Sequence, residues 1–229
     1  MYFMLHIGKT GGTYTKQLFA DIPAARDLVR FLHHDHSLET ALKEFPDEQA
    51  VFAIRDPLEI FVSGFYSRMR KGQPRYNYPW TQEETIIFST FKTPSALGEA
   101  LSSEQADRKQ LAEFSMRNLQ HVAQCLHFYL RSVELVRESK PRIHSVLRQE
   151  CLDQDIRNFL AKNGICVSSL PTYDEVVRHS NPAELDRTLS PAAIRNLRQW
   201  YRADLELYRE CQAIAAELNR PQMATAARH

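Results

Sequence analysis

A chain of 229 residues, 43% hydrophobic and 25% charged, is long for one small domain and short for two, and its balance excludes disordered, collagenous and fibrous classes. With 29 Lys and Arg against 28 Asp and Glu, the net charge of +1 supplies no global field for a nucleic-acid duplex or an anionic membrane, so any anion site must be local. No apolar run approaches the roughly 20 residues of a spanning helix, and four scattered cysteines without a CxxC pair suggest neither a zinc knuckle nor a disulfide framework.

The apolar run Tyr2 to Ile7 ends at Gly8, as a buried strand followed by a turn does, and Thr13 to Ala20 opens a helix. A second strand is expected over Leu28 to His33, then a helix over Ser37 to Phe45 with Ser37 as its N-cap. Ala50 to Ile54 reads as a third strand. Directly after it, Asp56, Pro57 and Glu59 form a capping-box pattern that starts a helix running to about Lys71. Its apolar residues Leu58, Phe61, Val62, Phe65 and Met69 share one face and Ser63, Ser67 and Arg70 another.

An aromatic, proline-rich loop from Arg75 to Trp80 precedes an α-rich insertion over about Thr93 to Arg137. A strand near Arg142 to Leu147 leads to a helix over Leu152 to Lys162, closed by Gly164, and one amphipathic helix capped by Ser190 and Pro191 runs to Leu218. Strands alternating with helices predict an α/β fold with a central parallel sheet. The expectation is a single domain over 1–221 with a frayed tail over 222–229, cytoplasmic because MYFMLHIGKT lacks a basic n-region and a cleavage site, with free and mostly buried thiols.

The segment Gly8-Lys9-Thr10-Gly11-Gly12-Thr13 sits where a strand gives way to a helix, so its N–H groups and the positive end of the helix dipole can converge on an anion. It is not a Walker A loop, because Phe3 stands where that motif needs its first glycine. An ordinary Gly-rich turn and a phosphate cradle remain the two readings of this stretch alone. Arg55 at the end of the third strand and Ser63 on the next helix add a planar guanidinium fork and a short hydroxyl donor for a second phosphate.

Together, His6 to Thr13 resembles the 5′-phosphosulfate loop of sulfotransferases that use 3′-phosphoadenosine 5′-phosphosulfate (PAPS), and Arg55 to Arg68 resembles their 3′-phosphate site. The similarity is greatest to the carbohydrate branch and its bacterial relatives. One departure is Gly8, where such loops usually carry proline. The resemblance implies a P-loop-like three-layer fold with a helical insertion, PAPS as co-substrate, no required metal, and a hydroxyl-bearing acceptor that is a glycan, lipid or small metabolite. It implies Lys9 at the 5′-phosphate and bridging oxygen, with Thr10, Gly11, Gly12, Thr13 and Tyr14 around it, and Arg55 and Ser63 at the 3′-phosphate.

For a base, the sequence offers His33-His34-Asp35-His36, whose His-x-His pattern is similar to that of uronosyl 2-O-sulfotransferases. In that mapping His36 is the base and His34 assists. An exposed histidine cluster and a metal pair are the competing readings. Arg68, Arg70 and Arg75 with Trp80 form a basic, aromatic stretch with no acidic residue between Ile60 and Gln82, which suits either an acceptor wall or a solvated face. A kinase or NTPase and a non-catalytic nucleotide-binding protein are the alternatives to a transferase.

Overall fold

A computed structural model describes residues 1–174, 182 and 184–218. The tail expected over 222–229 lies outside the described residues. Four parallel strands, β1 (Tyr2–Leu5), β2 (Val29–Phe31), β3 (Gln49–Ile54) and β4 (Ile143–Arg148), form one sheet in the order β2-β1-β3-β4. Alternation along these strands divides the core into two layers. Phe3, Leu5, Phe52, Ile54 and Val146 point into one cluster, whereas Met4, Val51, Ala53 and Leu147 point into the other.

The second cluster is covered by α1 (Gly12–Asp21) and α10 (Leu152–Lys162). The first is covered by α2 (Leu38–Glu44), α3 (Pro57–Met69) and the insertion α4 (Gln82–Thr90), α5 (Pro94–Ala100), α6 (Ala106–Asn118), α7 (Gln120–Ala123), α8 (Leu126–Leu130) and α9 (Val133–Glu138). Two C-terminal helices, α11 (Pro191–Trp200) and α12 (Arg202–Leu218), complete that layer. The result is the expected three-layer α/β arrangement.

Local chemistry sets most boundaries. Ser37 and Thr40 form a reciprocal capping box at α2, and the Ser190 hydroxyl accepts from the Ala193 N–H at α11. After α10, the Gly164 N–H donates to the Ala161 carbonyl and the Ile165 N–H to that of Leu160, with Gly164 at φ 72°. This is the Schellman arrangement that a C′ glycine permits.

Three expectations need correction. At α3 Asp56 caps Leu58 and Glu59, but the Glu59 carboxylate turns to Arg55 instead of completing a box. The single last helix is two, because Tyr201 leaves the helical region at φ −93°, ψ 27° and donates its buried hydroxyl to the Val122 carbonyl. Asp204 then caps the His127 N–H from the first turn of α12. Finally, β2 ends at Phe31, and the His36 N–H bonds back to the His33 carbonyl, so the histidines occupy a turn and not a strand. Of the four free cysteines, Cys125 and Cys211 are buried, whereas Cys151 and Cys166 are exposed.

Candidate functional site

The strand order reverses between β1 and β3, which is where open α/β sheets leave a crevice beyond the carboxyl ends of their strands. A cleft of about 1130 Å³ opens there, and a smaller recess of about 450 Å³ shares Gly11 and Gln149 with it. Lys9, Lys16, Arg55, Arg68, Arg75 and Arg187 line the cleft, with no carboxylate among the described lining residues.

The loop after β1 is built for this place. Lys9 adopts φ 64°, a left-handed conformation that costs a non-glycine residue roughly 1–2 kcal/mol. Gly11, at φ 92°, has no room for a side chain, because a Cβ would stand 2.7 Å from Leu152 Cδ2. The Thr10 hydroxyl donates to the Ile7 carbonyl at 2.9 Å and is buried, so it holds the loop's shape; it is not a ligand donor. Gly12 and Thr13 begin α1 and face the cleft. Tyr14 lines the smaller recess and donates to Asp153 at 2.7 Å.

Arg55 spans the switch point. Its Nη1 donates to the Lys9 carbonyl at 3.3 Å and its Nη2 to Glu59 at 3.1 Å, while its buried Nε has no hydrogen-bond partner. A buried guanidinium N–H without a partner is a costly feature for the switch point to carry. Ser63 lies on the cleft wall, on α3. Burial first, then the charges of Arg70 and Arg55, bring the Lys9 ammonium down to about 7. Burial also lowers Arg55, with Glu59 working against it. The cluster therefore has more positive charge than its own surroundings support.

The histidine turn splits its residues. His34 lines the cleft with its ring centroid 3.8 Å from that of His6, and burial followed by the charge of His33 lowers its pKa. A hydrogen bond with the His6 backbone opposes that shift without reversing it. His36 does not line the cleft; its ring bonds to Asp35 at 3.1 Å and to Glu44 at 3.2 Å, because the turn directs it toward α2. Three imidazoles outside the expected site residues also line the cleft: His33, His6 of the loop segment, and His121, whose isolated place in the sequence suggests a structural role. Burial, with His34 next, brings His6 to about 4. Its ring rests on Gly12, where a Cβ would come within 2.6 Å of Nε2.

The basic, aromatic stretch divides as well. Arg68 is buried and gives its fork to Glu84 and a further N–H to the Pro79 carbonyl, so its charge is spent inside the fold. Trp80 donates to the Arg68 carbonyl at 2.9 Å and packs on Phe88, away from the cleft. Arg70 donates to the Gln73 carbonyl. Arg75, Tyr76 and Tyr78 do face the cleft, with the two tyrosines stacked at 5.3 Å. Arg148 is held by Asp155 through two side-chain bonds of 2.7 and 2.9 Å, which fastens β4 to α10.

No protein-family model, no curated protein and no solved structure matches this chain. Among the described residues no cluster of three or more His, Cys, Asp or Glu could hold a metal ion, and no helix is long and apolar enough to cross a membrane. The arrangement is a cationic cleft at the switch point of a parallel sheet, with imidazoles on one rim and tyrosines on another.

Proposed function

We propose that this chain is a sulfotransferase that moves a sulfuryl group from PAPS to an acceptor hydroxyl. The observation that carries the reading is the set of five basic residues, Lys9, Lys16, Arg55, Arg75 and Arg187, that line a cleft with no carboxylate among its described lining residues, Arg68 being paired with Glu84. Three anionic groups on one nucleotide suit such a lining better than a single phosphate does. Lys9, the loop amides and Thr13 would take the 5′-phosphosulfate, and Arg55 with Ser63 the 3′-phosphate.

His34 is the base in this scheme, in place of His36, because of these two only His34 lines the cleft. With its pKa lowered it stays neutral near pH 7, and an imidazole with one nitrogen engaged as donor offers the other as acceptor. It takes the hydroxyl proton as the acceptor oxygen bonds to sulfur. The bond from sulfur to the bridging oxygen breaks, and Lys9 meets the charge that grows on the leaving phosphate.

Calorimetric titration with 3′-phosphoadenosine 5′-phosphate, AMP and ATP, each without magnesium, tests the donor site. Selective binding of the bisphosphate that Arg55→Ala abolishes is the expected result, and equal affinities would overturn it. For the base, His34→Asn should lose transfer while keeping bisphosphate affinity, and His36→Asn should retain both. The reverse order of effects would return the role to His36.

A further inference from the structure

The helical insertion reaches the cleft through α7, and the contact is unusually close. A Cβ on Gly64 of α3 would lie 2.9 Å from both the Cβ and the carbonyl oxygen of His121, so only glycine lets the two helices meet there. The consequence is that His121 is held beside the α3 turn that carries Ser63. From that position its imidazole extends toward the loop after β1, with Nδ1 3.8 Å from where a Cβ of Gly8 would be. His121, Gly8 and Ser63 all line the same cleft. The imidazole therefore stands beside both anion-binding segments, and the Tyr129 hydroxyl, 3.5 Å from the same Gly8 position, lies next to it.

We propose that His121 is a ligand-contacting residue of the donor site, donating a ring N–H to a phosphate oxygen held between the Gly8 to Thr13 loop and Ser63. The inference rests on the bisphosphate reading of the cleft and adds a residue from outside the two motifs. It gives the insertion a part in binding: the sheet supplies Lys9 and Arg55, and α7 closes the site from the third side.

Isotope-labelled histidine in the wild-type protein reports the contact directly. Addition of 3′-phosphoadenosine 5′-phosphate should shift the His121 ring resonances, assigned by their loss in His121→Asn, and inorganic pyrophosphate should shift them in the same direction. In calorimetry, His121→Asn should bind the bisphosphate about tenfold more weakly or worse, the scale of a hydrogen bond to a charged group. Unmoved resonances, with Arg55→Ala still abolishing binding, would overturn the role of His121 and leave the donor reading standing. If the wild type showed no preference for the bisphosphate, the donor reading would fail, and unmoved resonances under pyrophosphate would remove the His121 contact as well.

Discussion

Lys9 holds its ammonium where burial and two guanidinium neighbours oppose it, and its backbone is left-handed as well. Both features disfavour the folded state and both favour a bound anion, which is how strain comes to be concentrated at a site that must receive charge. The sign of the linkage follows from the depressed pKa of about 7 against an ordinary 10.5. Between these values the unfolded chain keeps the proton that the folded protein releases, so stability rises with pH through that window, and below it the full penalty applies. Lys9→Met should therefore raise the melting temperature at pH 6, with the gain shrinking toward pH 10, while bisphosphate binding is lost. An unchanged or lowered melting temperature at pH 6 would show that Lys9 is already satisfied. Binding of the bisphosphate at pH 8 should also draw about one proton from solution onto Lys9, measurable as a dependence of the calorimetric heat on buffer ionisation enthalpy.

At the scale of elements, the segment between α3 and α4 is a braced wall and not a free lid. Its Lys71 carbonyl accepts from the Tyr78 N–H at 2.8 Å and its Gly72 carbonyl from the Tyr76 N–H at 3.0 Å. Arg68 and Glu84 join the two helices beneath it as a buried, bidentate pair. Removing one member of such a pair leaves a charge without compensation, a loss of about 3 kcal/mol or more. Glu84→Gln should lower stability on that scale in a urea titration, while leaving affinity for the bisphosphate near the wild-type value. A large loss of affinity with unchanged stability would instead make Arg68 a ligand contact. This pair also shows what the sequence conceals. The stretch without acidic residues ends at Gln82, two residues short of Glu84, and nothing in the sequence marks Glu84 as the partner of Arg68, because partnership across a loop is set by packing and not by proximity along the chain. Caps and turns were legible at Asp56, Ser37, Ser190 and Gly164, since each obeys a rule local to a few residues. The gathering of His6, His34 and His121 was not, because those rings come from three separate elements that only the sheet and insertion bring together. The turn at His33 to His36 was not legible either, because the strand expected over Leu28 to His33 ends at Phe31 and the backbone folds back directly after it.

Across the whole molecule, near neutrality hides an uneven distribution, since the cations that line the cleft are balanced by carboxylates elsewhere. The histidines are uneven too. His6 at the cleft and His144 in the other core layer are both brought to about 4, chiefly by burial, and His34 is lowered with them. His144 is wedged against Tyr2, 4.3 Å between ring centroids, and Phe159, and its Nδ1 bonds to the Ser145 hydroxyl at 3.0 Å. In the unfolded chain these rings protonate near 6.5, whereas the folded protein resists protonation down to about 4. Stability should therefore be intact above pH 6.5 and fall steadily as the pH drops toward 4, because the unfolded state gains protons that the folded state refuses. Asp204, raised by burial, acts in the opposite sense at the acid end and should soften the fall there. Urea midpoints measured from pH 7.5 to 4.5 would display the slope, and His144→Gln should reduce it without touching the cleft. A midpoint that stayed level across this range would show that the buried rings accept protons in the folded state, and with that the lowered pKa on which His34 depends as the proposed base would be lost.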